Sequence, residues 1–148
     1  MEQIETREGL MVWLGRSVRP YEYTCPSEGE YALLLVCADE DVSAEEQALL
    51  SERLVRTGCR YAVCFGPESS SWDDSIDMVS VMDEINGRGT PFVVTTWHDE
   101  EPLSDVVEYF ARLAKFDDWS PPEYVVLVLG GSGQLEGEVR RALCRQFA

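Results

Sequence analysis

Residue types that could bind a ligand or carry out chemistry are concentrated in three short stretches of the chain. Two of these stretches place a tryptophan beside a polar residue, in Trp72-Asp73 and Trp97-His98. Carboxylates are ligands for hard cations such as Mg²⁺, an imidazole can transfer a proton, and aromatic rings often line a pocket. The binding residues that we predict are Asp39, Asp41, Ser69, Trp72, Asp73, Asp77, Thr96, Trp97, His98 and Glu101.

The acidic residues in this set have two explanations. Asp73 and Asp77 lie one helical turn apart, and with Asp39 or Asp41 they could hold a cation through oxygen ligands. Acids in the first turn of a helix, however, also complement the helix dipole without any ligand. Because the chain has no D-x-D-x-D spacing and only one histidine, we predict no metal site and assign no cofactor.

Motifs of nucleophilic catalysis are missing. The string Gly66-Pro67-Glu68-Ser69 is not the G-x-S-x-G elbow of a hydrolase. His98 follows Trp97 near a strand end, where an imidazole more often packs or caps than catalyses. A thiolate at Cys64 would need positive neighbours, and this part of the chain is acidic. The sequence therefore leaves open whether the protein is an enzyme.

The glycine-rich stretch 130–133 also has two explanations. A strand, a glycine loop and a helix form the unit that holds phosphate groups in nucleotide-binding domains. Here no Walker lysine is present and no ribose-binding acid follows. A tight turn that uses the conformational freedom of glycine explains the stretch equally well.

These residues must be positioned by a regular alternation of strands and helices. Apolar runs of strand length occupy residues 31–37, 61–65, 91–96 and 124–129, and helical periodicity follows each run. The connections are too long for hairpins, so we expect the four strands to be parallel. We predict one α/β domain over 1–148: a small three-layer parallel sheet with helices on both faces, Rossmann-like or flavodoxin-like.

Local signals predict where these elements begin and end. A capping box of Ser43 and Glu46 predicts a helix from about Ala44 to Thr57. The polar stretch 68–71 predicts a loop before a helix that runs from about 72 to 85. Within that helix, the apolar residues at helical spacing are Ile76, Val79, Met82 and Ile85.

The first thirty residues are harder to interpret. Residues 1–30 form an N-terminal arm in our prediction, and the apolar run Leu10–Leu14 within it is an alternative fifth strand.

Parallel strands deliver the loops after their carboxyl ends to one edge of the sheet, where ligands of such domains bind. We therefore expect Trp72, Asp73, Thr96, Trp97 and His98 to lie near one another at that edge. The two tryptophans either flank a cleft there or cover the end of the core.

The charge of the chain restricts its partners. Its 148 residues include 12 Lys and Arg but 28 Asp and Glu, which gives a net charge of −16. Such an excess of carboxylates disfavours nucleic acid and anionic lipid, and it favours a basic protein partner, a cation or simple solubility. No apolar run approaches the roughly 20 residues that span a bilayer. The five cysteines without C-x-x-C spacing and an N-terminus without an apolar secretory core favour the cytoplasm.

Three strings carry a resemblance to a known family: Gly58-Cys59-Arg60-Tyr61, then Trp72-Asp73-Asp74 and Asp77 after Gly66-Pro67, and Thr95-Thr96-Trp97-His98 with Glu101-Pro102-Leu103. From about residue 31 to residue 129 the chain resembles an uncharacterised bacterial family of small Rossmann-like α/β domains. The resemblance implies a bacterial, cytoplasmic domain and brings no activity with it. It also implies that the two tryptophan-containing loops belong to one shared site.

Two main functions follow from these observations. The first is an acidic cytoplasmic α/β module that acts by binding a protein partner, without catalysis. The alternative is an enzyme or a binder of a small metal- or nucleotide-type ligand, with its cleft at the strand carboxyl ends between the Trp72 and Trp97 loops. A third and weaker function is the sensing of a nucleotide through residues 130–133.

Overall fold

A six-stranded sheet forms the middle layer of the protein in the computed structural model, which describes residues 1–148. Its strand order is β1-β2-β6-β3-β4-β5. All neighbouring pairs are parallel except β1 with β2. The strands are β1 (Glu2–Ile4), β2 (Met11–Ser17), β3 (Tyr31–Cys37), β4 (Cys59–Phe65), β5 (Val94–His98) and β6 (Glu123–Leu129).

The predicted α/β architecture is confirmed, and all four predicted strands are parallel. Four of the five residues of the run Leu10–Leu14 lie in β2, which begins at Met11, so the fifth parallel strand is present. The arm also contributes the short antiparallel β1. The third predicted strand is displaced along the chain, because β5 begins at Val94 rather than at residue 91. Pro91 has no N–H to donate to a ladder. The Phe92 carbonyl accepts a hydrogen bond from Arg60 Nε at 2.9 Å.

Two pairs of helices cover the two faces of the sheet. The helices are α1 (Ala44–Arg56), α2 (Ser69–Ile85), α3 (Leu103–Leu113) and α4 (Gly133–Phe147). The first two helices contact each other on one face, and the last two contact each other on the opposite face. The capping box of Ser43 and Glu46 is present at the start of α1, as predicted.

The beginning of α2 differs from the prediction. The stretch 68–71, predicted as a loop, forms the cap and first turn of the helix, with Glu68 as the N-cap. The backbone N–H of Trp72 donates to the Glu68 carbonyl at 3.2 Å, which closes that turn. The early start places Trp72 inside the helix rather than at its beginning. Trp72 and Ile76 lie one turn apart on the same face of α2, and both side chains are fully buried.

Alternate residues of the central strands supply two separate cores. Ala32, Leu34 and Val36 of β3 pack on the side of α3 and α4, whereas Leu33 and Leu35 pack on the side of α1 and α2. Every residue of β3 is buried, because the strand is covered on both faces and lies between β6 and β4. No helix of the chain combines the length and the apolar composition that crossing a membrane requires.

Candidate functional site

The predicted cleft between two tryptophans does not form, because Trp72 belongs to the core. Its side chain is fully buried under α2, and its ring meets the Tyr21 ring edge-on with the centroids 6.0 Å apart. Trp97, in contrast, is 51% exposed on β5. Of the two explanations that the sequence allowed for Trp72, the structure supports the covering of the core.

Asp73 tethers α2 to the edge strand. The Thr95 hydroxyl donates to Asp73 Oδ1 at 3.0 Å. Burial raises the pKa of Asp73, the negative charges of Asp74 and Asp77 act in the same direction, and the Thr95 hydrogen bond acts against them. Asp77 is exposed, and Ser69 is fully buried with a hydroxyl that has no hydrogen-bond partner.

His98 forms a second group on the other face of β5. Its Nδ1 lies 2.8 Å from Glu101 Oε2 and its Nε2 lies 3.0 Å from Thr96 Oγ1. Because a carboxylate only accepts, Nδ1 donates to Glu101, and in the neutral imidazole Nε2 then accepts from the Thr96 hydroxyl. The Tyr109 ring of α3 lies beside the imidazole, with the centroids 5.0 Å apart. This order of hydroxyl, imidazole and carboxylate is the one used by nucleophilic hydrolases.

The residues predicted at the edge of the sheet are therefore divided between two faces. Thr95 points to α2 and Asp73, whereas Thr96 and His98 lie on the side of α3, because neighbouring side chains of a strand point to opposite faces. Asp73 and His98 therefore lie on opposite sides of β5.

Asp39 lies at a third place, where the strand order reverses between β3 and β6. Its Oδ2 accepts a hydrogen bond from the Tyr21 hydroxyl at 2.6 Å. The carboxylate packs so closely on Gly130 that a Cβ at Gly130 would collide with it. A negative charge on the glycine loop opposes phosphate binding there. Asp41 is exposed two residues further on. Both acids follow β3, and β4 lies between β3 and β5.

Metal binding finds no support in this arrangement. No three His, Cys, Asp or Glu side chains are grouped in a way that could hold a metal ion. The carboxylates that the sequence offered as joint ligands are separated, with Asp39 bound to Tyr21 and Asp73 bound to Thr95.

The outer face of α2 was missed by the sequence analysis. Met82 and Ile85, which follow the helical spacing of Ile76 and Val79, are exposed rather than packed on the sheet. The next core position is taken by Asp83, which is 3% exposed. The apolar residues that α2 presents to solvent at positions i, i+3, i+4 and i+7 are Met78, Val81, Met82 and Ile85; we call them the outer stripe.

A groove of about 530 Å³ runs between α1 and α2 beside the outer stripe. Gln47 Nε2 donates to Ser71 Oγ at 2.7 Å, and the hydroxyls of Ser51 and Ser75 lie 2.8 Å apart, so short polar contacts join the two helices. The apolar side chains that line the groove are Ala44, Ala48, Met78, Val79 and Met82.

An ion pair between the exposed Arg56 and the buried Asp83 closes one end of the groove. Arg56 donates to both oxygens of Asp83, with Nη1 2.5 Å from Oδ2 and Nη2 2.7 Å from Oδ1. Together with the Thr90 hydroxyl, this guanidinium lowers the pKa of Asp83 to about 2. The pair explains how a carboxylate can take a core position: its charge is neutralised and both of its oxygens are satisfied.

The remaining charges on α2 are all negative. The helix carries five carboxylates and no basic residue. Asp74, Asp77 and Glu84 are exposed and form no salt bridge. The sequence contained a signal for this face. Met78 and Val81 do not follow the helical spacing of the core residues Ile76 and Val79, and the helix has no basic residue to balance its carboxylates.

Comparison with known proteins places the chain in a family without assigning an activity. No curated protein matches the sequence significantly. A family model matches residues 17–146, which run from the end of β2 to the last turn of α4. This match covers most of the chain and confirms the resemblance to an uncharacterised domain. The chain belongs to the family described as Domain of unknown function (DUF7684).

Proposed function

We propose that the protein is an acidic α/β binding module that acts through a basic protein partner. The observation that carries this proposal is the outer stripe of α2. Its four apolar side chains are between 40% and 70% exposed, although α2 is already anchored to the sheet by Trp72 and Ile76. Contiguous apolar surface with a polar rim is typical of protein-interaction sites.

The charge of this face supports a basic partner. Asp74, Asp77 and Glu84 lie beside the outer stripe, are exposed and form no salt bridge. Complementary charge guides association and excludes partners of the same sign. Nucleic acid and anionic membranes carry the same sign as the protein, whose net charge is −16, so both are disfavoured.

The proposal includes a cytoplasmic location, in a bacterial cell. All five cysteines are free, and Cys37, Cys59 and Cys64 are buried. Burial raises the pKa of the Cys59 thiol to about 12, which keeps it protonated and unreactive. Reduced, inert thiols are typical of cytoplasmic proteins. The bacterial origin rests on the family resemblance of the sequence.

Site-specific photo-crosslinking in the native cell tests the binding face. A benzophenone amino acid replaces Val81 on α2 in one protein and Leu113 on α3 in a second; Leu113 is 54% exposed on the opposite face. We expect a discrete adduct from position 81, its loss when Met78→Glu is added, and none from position 113. Equal adducts from both positions, or none from position 81, contradict the proposal.

A second candidate function is acyl transfer at the carboxyl end of β5. The observation that favours it is the pair of hydrogen bonds that links Thr96, His98 and Glu101. In this reaction Thr96 Oγ attacks an ester carbonyl, His98 Nε2 takes the hydroxyl proton, and the alcohol leaves; water then releases the acyl group. p-Nitrophenyl acetate is a suitable probe. The candidate requires release of nitrophenolate to fall by at least about a hundredfold in His98→Gln. Equal rates in the wild-type and variant proteins reject it.

A further inference from the structure

We infer that the segment of the partner that docks is a basic amphipathic α-helix, which lies in the groove between α1 and α2. The inference rests on the proposed function and specifies the partner. Three features of the groove carry it: its length, the small side chains that line one end and the sign of the charge around it.

The length of the groove fits a short helix. Its lining extends from Ser71 to Asn86 along α2 and from Ala44 to Arg56 along α1. At a rise of 1.5 Å per residue, the α2 side is about 22 Å long, which a helix of about 15 residues would span. The two lining helices provide ridges and grooves of the kind into which a third helix packs.

The side chains that line the groove favour close approach of a helix. Ala44 and Ala48 on α1 and Ser71 and Ser75 on α2 are small and leave space for larger apolar side chains of a partner. Met78 and Met82 form the neighbouring apolar surface, and the unbranched methionine side chain adapts to the shape of what it contacts. Recognition of an amphipathic helix by an apolar groove uses anchors at i, i+3, i+4 and i+7.

The charge around the groove requires basic residues on the partner. Asp74 lines the groove, and Asp77 and Glu84 line the adjoining depression on the other side of α2. Of the two basic residues that line the groove, Arg56 is bound to Asp83, and Arg88 lies at the same end, where its backbone N–H donates to the Asp83 carbonyl. Lysine and arginine side chains at the edges of the docked helix would meet the free carboxylates.

A second copy of this chain does not fit the same face. A two-fold contact places a surface against itself, so Asp74, Asp77 and Glu84 of one protomer would approach the same carboxylates of the other. Like charges at an interface oppose association. The protein should therefore remain a monomer while its α2 face is free.

Three labelled peptides of about 15 residues test the inference by fluorescence anisotropy with the full-length protein. The first has leucine at i, i+3, i+4 and i+7 and lysine or arginine elsewhere. The second has the same composition in scrambled order, and the third has glutamate in place of every base. We expect the first peptide to bind at least about tenfold more tightly than the second. We expect no binding of the third, and weaker binding of the first as salt is raised.

Matched variants locate the binding. Met78→Glu and Leu113→Glu each add one negative charge to a half-exposed apolar position, at 55% and 54% exposure. The added charge alone would attract a basic peptide, so a loss of affinity reports the apolar contact. We expect Met78→Glu to weaken the first peptide at least about tenfold and Leu113→Glu to leave it unchanged. Asp74→Asn should weaken binding of the first peptide more than Glu108→Gln does. Glu108→Gln is the matched control, because it also removes one negative charge but lies on α3, on the other face of the sheet.

The results separate this inference from the proposed function. Equal affinity for the ordered and scrambled peptides, equal effects of the two glutamate variants, or a dimer formed through α2 overturns the helix inference. If no peptide binds while the benzophenone at position 81 still traps a partner, the helix inference fails and the proposed function stands. If both experiments fail, the proposed function fails with it.

Discussion

Helices α2 and α3 cover opposite faces of the same sheet. They differ in how their apolar and charged residues are distributed between the buried side and the exposed side. On α3, Val106, Val107 and Phe110 are buried. The residues that face solvent are polar, such as Asp105 and Glu108, except for Leu113 at its last position. This is the usual division of an amphipathic surface helix. On α2, Trp72 and Ile76 are buried, yet the outer stripe is apolar as well.

This difference shows which apolar residues of α2 the fold requires and which ones it does not explain. The inner residues of both helices supply the apolar burial that holds each helix on the sheet. The outer stripe of α2 adds little to that burial, and exposing it to water gives no stability. A charged outer face, as on α3, would serve folding equally well, so the stripe on α2 points to contact with another molecule.

The largest expected effect is on the inner face of α2. Trp72→Ala leaves a cavity in a fully packed site and should lower the free energy of unfolding by about 3–5 kcal/mol. Met78→Ala on the outer face should change it by less than about 0.5 kcal/mol. Urea unfolding of the two variants checks this, with Trp72→Phe as a variant that retains the fold. Similar losses for Trp72→Ala and Met78→Ala would remove the distinction between the two faces.

A smaller effect on stability is expected at Asp83, the carboxylate that takes a core position on α2. The pKa of Asp83 is about 2 in the folded protein and about 3.9 when unfolded. The ionised form therefore stabilises the fold above pH about 4, and this contribution is lost as pH falls through about 2. Asp83→Asn should be less stable than the wild type at neutral pH.

Urea unfolding between neutral pH and pH about 2 measures this dependence. The difference between the wild type and Asp83→Asn should narrow as the solution is acidified, because protonation then removes the ion pair with Arg56 in the wild type too. A difference that does not depend on pH would mean that the ion pair does not stabilise the fold.

The smallest effect on stability is expected at Asp73, near the beginning of α2. Its dependence on pH is opposite to that of Asp83. Burial raises the pKa of Asp73, so the folded protein holds this proton more tightly than the unfolded chain. Stability at this site is therefore greatest below the unfolded pKa and falls as pH rises through the folded pKa. As pH rises through this pKa, Asp73→Asn should lose less free energy of unfolding than the wild type. Urea unfolding at a series of pH values measures the difference. A loss that is greater in the variant would contradict the assignment of burial as the cause.

Much of the fold could be predicted from the sequence, because its signals are local. Apolar runs of strand length, the capping box at Ser43 and glycine stops mark each element within a few residues. The order of the strands is a tertiary property. No local pattern states that β6 lies between β2 and β3, or that Asp39 ends up two strands away from His98.

The candidate sites were harder to predict for a related reason. The orientation of Trp72 depends on a helix that starts three residues before the predicted position, at Ser69. The outer stripe depends on Asp83, whose burial is possible only because Arg56 of α1 pairs with it across the two helices. Periodicity assigned Met82 and Ile85 to the core, since a carboxylate is ordinarily the poorer candidate for burial.

Amide-resolved ¹⁵N NMR of the protein, titrated with the basic amphipathic peptide, tests the central claim most directly. The account predicts that the largest chemical-shift changes occur along α1 and α2, at residues 44–56 and 71–88, with α3 and α4 unaffected. The Met78→Glu protein should show these changes only at higher peptide concentrations. Changes centred on Trp97 and His98, changes on α3 and α4, or no changes at all would contradict the assignment of the α2 face as the binding surface.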